Sequence, residues 1–251
     1  MKVITWNVNG IRARHAQVQA LIDAERPDVL CLQEIKASPV QVPALLLSAS
    51  DHWSYWHGVG GYSGVALIVR HGFVTEPPVF THPSFDMESR IVVGDFGRFL
   101  AASVYVPNGG RDYEAKIRFF TALLDWAAET IGRGRDVIIS GDLNIAREER
   151  DVHPKERKPN QIGARPEERA LLARMLDLGL VDVGRALDPD NDNLFTFWNP
   201  WRNLRQRNIG WRIDYVLATR AIAYGATRAR ALREFGTSDH GPVVIEFGSA
   251  T

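Results

Sequence analysis

The sequence predicts a single layered α/β domain. One strand-and-helix design occurs twice along the chain, and each occurrence ends in an acidic residue after a buried strand. A length of 251 residues with 45% hydrophobic content is also sufficient for one sizeable core.

The first occurrence opens with the apolar run Val3 to Trp6, which meets an Asn-x-Asn-Gly turn. A helix is expected from about Arg12 to Glu25, and a second run, Asp28 to Gln33, ends at Glu34. Gly64 to Arg70 and Arg90 to Asp95 then read as strands. The second occurrence starts with a strand at Leu100 to Val106, broken by Pro107-Asn108-Gly109-Gly110. Its helix spans about Asp112 to Ile131, where Ile117, Phe120, Leu124 and Ala127 or Ala128 recur at helical spacing beside Arg118 and Asp125. The strand Val137-Ile138-Ile139 leads into Gly141-Asp142-Leu143-Asn144. Arg147 to Arg169, with seven bases and six acids, reads as a solvated surface loop running into a helix near Pro166. Strands at Ile213 to Ala218 and Pro242 to Phe247 complete the pattern, and acids just beyond buried strands are how open α/β sheets commonly assemble a site.

The 30 Lys+Arg balance 30 Asp+Glu, which excludes the global basicity of a passive nucleic-acid binder and confines any such contact to a local patch. Cys31, the lone cysteine, lies in Val29-Leu30-Cys31-Leu32 and reads as a buried small hydrophobe, suited to a reducing compartment. Polar residues interrupt the N-terminus early and no apolar stretch approaches membrane-spanning length. A soluble, cytoplasmic protein with no membrane partner is expected.

Polar residues recur at strand ends: Asn7 and Asn9, Glu34, Asn108, Asp142 and Asn144, Asp214, then Asp239 and His240. Any one alone would read as a turn former or cap, whereas the repetition points to a site built on rigid elements. Carboxylate and amide oxygens without a cysteine cluster suit Mg²⁺, with Mn²⁺ as a substitute, rather than structural zinc. Magnesium takes few protein ligands and leaves room for phosphate and water, so metal-assisted attack on a phosphodiester is the reaction class inferred. Among the seven histidines only His240 has such a context, and His52, His57 and His71 read as surface or packing residues.

Seven segments, TWNVNGIRA, LCLQEIK, GYSGVAL, VYVPNGGR, SGDLNIA, GWRIDYVL and SDHGPV, stand in order along the chain. From Met1 to Phe247 the chain thereby resembles the exonuclease III family of abasic-site endonucleases. The resemblance implies a four-layer αββα sandwich of two packed mixed β-sheets flanked by helices, with the two repeated units as pseudo-symmetric halves. It implies Glu34 as the main magnesium ligand with Asn7 nearby, and Asp142, Asn144, Asp239 and His240 around the same ion. Asp142 would orient or deprotonate the attacking water, Asn144 would hydrogen-bond the developing phosphorane, and His240 would contact the phosphate. Asp239 would fix the His240 tautomer and Asp214 would support that network, while Tyr105 and Asn108 flank the leaving side.

Eight arginines stand against one acid between Trp198 and Arg233, a window expected to form the basic patch. Within it Arg202, Arg205 and Arg207 share a loop with Trp201, which reads equally as aromatic packing. The resemblance maps Phe197, Trp211 and Ile213 onto an apolar pocket for a flipped-out, baseless deoxyribose, although Trp211 and Ile213 also read as core residues. Arg111 resembles a loop arginine that enters the opened duplex. The implied activity is magnesium-dependent incision of double-stranded DNA 5′ of abasic sites by a monomer, with some 3′-5′ exonuclease and 3′-end cleaning.

Two departures stand out. Asn9 replaces an aspartate carried by some relatives, which removes a charge near the metal. The stretch Pro159-Asn160-Gln161-Ile162-Gly163-Ala164 differs from the asparagine and aromatic that many relatives place around that glycine, so a weaker strand grip is expected. Phosphatases of inositol phosphates, sphingomyelinases and RNA deadenylases share a similar core, but the arginine-rich loop and VYVPNGGR favour DNA. Some close relatives also incise beside uracil or other damaged bases. A DNA-binding module without catalysis is disfavoured because every acid and His240 is in place.

Overall fold

The computed structural model describes residues 1–47 and 51–248. The first repeated unit comprises β1 (Lys2–Asn7), α1 (Ile11–Glu25) and β2 (Val29–Gln33). It is followed by a short helix α2 (Ala44–Leu47) and the strands β3 (His52–His57), β4 (Val65–Arg70), β5 (Val79–Thr81) and β6 (Ile91–Asp95). The second unit is β7 (Phe99–Tyr105), α3 (Tyr113–Gly132) and β8 (Asp136–Asp142). Asp112 starts α3 by accepting the Ala115 N–H at 2.9 Å, an N-cap that satisfies one orphan donor. The chain continues through α4 (Pro166–Asp177), β9 (Leu180–Asp182), α5 (Val183–Leu187), β10 (Asp214–Thr219), α6 (Arg220–Ala223), β11 (Ala226–Ala231) and β12 (Val243–Phe247).

These strands form two six-stranded mixed sheets, ordered β11-β12-β1-β2-β4-β3 and β5-β6-β7-β8-β10-β9. The parallel pair β1 and β2 is flanked by antiparallel β12 and β4. The parallel pair β7 and β8 is flanked in the same way by β6 and β10, so one half repeats the pairing of the other. Alternate side chains of each central strand enter different cores. Val3, Val29 and Cys31 meet Ala101, Ile138 and Val216 between the sheets, while Ile4, Leu30 and Leu32 pack outward against Val18 and Leu21 of α1. On the opposite side Val137 and Ile139 lie under Phe119, Phe120, Leu123 and Leu124 of α3. Burial on both faces explains why these strands read as continuous apolar runs. The result is the expected four-layer αββα sandwich.

The stretch from Arg147 to Arg169 is mostly a surface segment that runs into α4 at Pro166, as expected, but not all of its charges are solvated. Asp151 and Glu168 are fully buried. Asp151 accepts from Arg212 at 2.7 and 3.1 Å and from Arg185 at 2.8 Å, and Asp182 takes the other side of Arg212 at 2.8 and 3.0 Å. Glu168 pairs with Lys116 of α3 and accepts the Gly163 N–H. Paired charges enter a core where unpaired ones do not, and a count of charges cannot distinguish the two.

Candidate active site

Strand order brings the polar strand ends to one edge. Asn7 ends β1, Glu34 follows β2, Tyr105 ends β7 and Asp142 ends β8, while antiparallel β10 begins there with Asp214. In the second sheet Asp142 stands directly opposite both Tyr105 and Asp214. The chain entering β12 adds Asp239 and His240, held by the Trp6 indole N–H donating to the His240 carbonyl at 3.0 Å. Asn9, Glu34 and Asn144 all adopt left-handed backbone, with φ of 45°, 50° and 52°. Such geometry costs roughly 1–2 kcal/mol per non-glycine residue and marks places where side-chain direction matters.

The Asn7 side-chain amide donates to Glu34 Oε1 and to Asp142 Oδ2, both at 2.9 Å, and so ties the two halves of the fold together at the site. Asp142 Oδ1 accepts the Asn144 N–H at 2.9 Å. His240 Nε2 faces Asp142 Oδ2 at 3.8 Å, and its Nδ1 lies 2.9 Å from Asp214 Oδ2, which also accepts the Thr196 hydroxyl at 2.6 Å. Burial by itself would lower the His240 pKa, but the Asp214 and Asp142 carboxylates outweigh it and raise it to about 10. Burial pushes Asp142 up to about 7 against the pull of His240. For Glu34 the amide of Asn7 and the ammonium of Lys36 overcome burial and hold the carboxyl below its ordinary value. Tyr105 is pushed upward by burial and then by Glu34 and Asp142, so it keeps its hydroxyl proton.

The structure redistributes two expected roles. Asp239 was expected to fix the His240 tautomer, but Asp214 occupies that position. Asp239 instead accepts from the Asn9 amide at 3.0 Å, as neighbouring residues of extended chain point to opposite sides. Asn9 also accepts from Lys36 at 2.6 Å, and Lys36 lies 2.8 Å from Glu34. An amide at position 9 supplies the donor that Asp239 requires, which an aspartate there would lack. Lys36 and Thr196 were missed, although Lys36 stood two residues after Glu34 in LCLQEIK.

Glu34, Asp142 and His240 each offer a ligand atom, all within 4.8 Å of one another. With His240 protonated, the usable donors are carboxylate oxygens, and Asp214 Oδ1 is a further buried oxygen without a hydrogen-bond partner. That donor set fits a hard divalent cation.

Beside the cluster lies a cavity of 290 Å³ lined by Asn108, Asn144, Ile162, Phe197, Trp211 and Ile213. The structure thus brings the three expected apolar residues onto one wall, with the Phe197 ring 4.8 Å from that of His240. Trp211 and Ile213 also pack with Ala146 and Val152, so the core and pocket readings both hold. Lys116 braces the cavity by donating to the Asn144 carbonyl at 2.8 Å. A larger hollow of 660 Å³, lined by His82, Asp95, Trp126 and Arg135 among others, contains none of these groups.

The arginine-rich window does not form one patch. Arg212 is buried between Asp151 and Asp182, and Arg230 bonds Glu25 and Glu246. Arg205 directs its guanidinium at the carbonyls of Arg233, Phe235 and Ser238, bracing the segment that carries Asp239 and His240 rather than facing solvent. Arg202 and Arg207 of the same loop, and Arg111, are exposed.

A sandwich of two sheets that gathers carboxylates, an imidazole and a small apolar cavity at one edge has the make-up of a hydrolase with a candidate cation cluster. Residues 4–240 match the model of the Endonuclease/Exonuclease/phosphatase family, and the chain belongs to that family, as an enzyme of its exonuclease III type. It is 33% identical to DNA repair nuclease APEX1 of Danio rerio over 98% of this chain and 81% of the relative. It is 32% identical to the exodeoxyribonuclease of Bacillus subtilis over 98% of each. Recombination repair protein 1 of Drosophila melanogaster is 32% identical, and the chain spans 37% of its length. The structure of a 3′ phosphatase from Neisseria bound to product DNA hairpin superimposes with a TM-score of 0.90 at 29% identity, covering 98% of this chain and 99% of that one.

Proposed function

We propose that this chain is a magnesium-dependent nuclease that incises double-stranded DNA immediately 5′ of abasic sites, with some 3′-5′ exonuclease and 3′-end-cleaning activity. The observation that carries the reading is the 290 Å³ apolar cavity set against His240 and Asn144. A deoxyribose without its base is cheap to extrude from a duplex, and the apolar wall of Phe197, Trp211 and Ile213 offers such a sugar a place beside the acid–base groups.

Glu34 and Asp142 would hold the cation, with Asn7 orienting both carboxylates. Bound there, Mg²⁺, or Mn²⁺ in its place, supplies Lewis-acid stabilisation of the phosphate charge. Asp142 orients the attacking water and takes its proton. The bond from phosphorus to the 3′ oxygen breaks, and that oxygen takes a proton from solvent, leaving a 3′ hydroxyl and a 5′ phosphate. His240, charged and supported by Asp214, contacts the phosphate, and Asn144 donates to it as negative charge develops. Tyr105, still protonated, stands with Asn108 at the leaving side. Arg111, Arg202 and Arg207 meet the DNA backbone, whereas Arg205 acts by bracing the loop before His240.

The protein would work as a monomer with one catalytic domain over residues 1–251. Among the described residues no helix is long and apolar enough to cross a membrane. The Cys31 thiol, pushed up to about 12 by burial, is inert and fits the reducing cytoplasm.

A second reading, in which removal of 3′ phosphates is the principal activity, is favoured by the end-to-end likeness to the Neisseria 3′ phosphatase. One assay distinguishes the two. A duplex with a single tetrahydrofuran abasic analogue and a nicked duplex ending in a 3′ phosphate are each incubated with Mg²⁺ or EDTA. Incision 5′ of the analogue with Mg²⁺ alone supports the first reading, and phosphate release without incision overturns it in favour of the second.

A further inference from the structure

β3 is one edge strand of the first sheet and β5 one edge strand of the second. His57 closes β3, His82 immediately follows β5, and Asp86 lies between β5 and β6. His57 Nε2 lies 2.6 Å from Asp86 Oδ2. The His57 and His82 rings stack face to face, with centroids 4.5 Å apart and planes within 8°. A ring nitrogen from each histidine and a carboxylate oxygen of Asp86 all fall within 4.8 Å of one another, in a group separate from Glu34, Asp142 and His240. The remaining oxygen, Asp86 Oδ1, accepts the backbone N–H groups of Arg90 at 2.8 Å and Ile91 at 3.2 Å, so the carboxylate is already oriented by the start of β6.

We propose that His57, His82 and Asp86 form a second metal site, for a borderline transition ion such as Zn²⁺, that ties the edges of the two sheets together. Two imidazole nitrogens and one carboxylate oxygen suit zinc, nickel or cobalt, whereas magnesium prefers oxygen alone. Three protein ligands leave the fourth tetrahedral position for water. Bonds of about 2.0 Å place tetrahedral ligands roughly 3.3 Å apart. His57 Nε2 and Asp86 Oδ2 therefore need to separate by less than about 1 Å, while exposed His82 rotates its nitrogen inward. His57 Nε2 and Asp86 Oδ2 would each turn an electron pair to the metal, so the contact between them gives way to two metal bonds. A bare ion pair would need neither the second imidazole nor the two backbone donors that fix the carboxylate. Cross-linking the sheets where each has an unpaired edge predicts an effect on stability, not on the reacting groups.

The test uses metal-stripped full-length protein in saturating Mg²⁺, titrated with Co²⁺ and followed by visible absorption, with Zn²⁺ followed by thermal unfolding. One Co²⁺ per chain should bind with a tetrahedral d–d band. Zn²⁺ at about 100-fold over its Kd should raise Tm by about 5 °C or more. His82→Ala, on an exposed side chain, should weaken Co²⁺ binding by more than about 10-fold, the loss that removing even a hydrogen-bond partner of a ligand brings, and Glu34→Gln should leave it unchanged. No stoichiometric binding, binding untouched by His82→Ala, or binding lost in Glu34→Gln would each overturn the proposal.

Discussion

His240 and Asp214 lie 2.9 Å apart, from Nδ1 to Oδ2, and the Thr196 hydroxyl fixes the same carboxylate oxygen. The imidazole is thereby oriented with its Nε2 edge toward Asp142, and the two carboxylates raise its pKa.

Asp214→Asn should remove that charge without removing the ring. Incision should fall on the order of 10²–10⁴-fold in kcat, with a smaller change in KM. In metal-free protein the His240 titration, followed by NMR, should move from about 10 toward 6.5. Near-wild-type kcat or an unmoved titration would remove Asp214 from this role.

Lys116 and Glu168 form a fully buried pair that supports the cavity through Asn144 and Gly163. Lys116→Met should leave Glu168 charged and unpaired, lowering stability by about 3–5 kcal/mol in urea unfolding. The double variant with Glu168→Gln should recover much of that stability while KM for the abasic duplex stays raised. Equal stability of the two variants would contradict the pairing.

The acid limb of stability should depend on Asp151. Burial would raise its carboxyl, but Arg212 and Arg185 outweigh burial and hold it below its ordinary 3.8. A carboxyl with a depressed folded pKa contributes stability that is complete above its unfolded value and lost as pH falls through the folded value. Thermal unfolding from pH 6 to 2 should therefore show a steep loss below about pH 4 in wild type. The slope should be shallower in Asp151→Asn, from a lower plateau.

At Gly141 an added Cβ would strike the Val104 carbonyl across the β7–β8 pair, one residue before Asp142. Gly141→Ala should cost about 1–3 kcal/mol and displace Asp142. Activity should fall by more than the folded fraction measured by circular dichroism.

Much of this architecture was legible because the central strands are buried on both faces. The runs before Asn7, Glu34 and Asp142 could only be strand interiors, and their polar ends had to meet at a sheet edge. Edge strands gave weaker signals: β11 reads ATRARA, alternating arginines with alanines, and went unnoticed. The buried pairs Lys116–Glu168 and Arg212–Asp151 unite residues 52 and 61 positions apart, and no local pattern announces them. The exchange of roles between Asp214 and Asp239 depends on which face of the chain each side chain takes. The bracing contacts of Arg205 are not legible in the sequence, because its partners are backbone carbonyls and leave no trace in residue identity.

The proposed function requires that the cavity walled by Phe197, Trp211 and Ile213 select a sugar without a base. Single-turnover incision with Mg²⁺ should be compared on duplexes identical except for tetrahydrofuran or an intact nucleotide at one position, for wild type and Trp211→Ala. Wild type should strongly prefer tetrahydrofuran, and that preference should collapse in Trp211→Ala. An unchanged preference in a folded variant would show that selection occurs elsewhere.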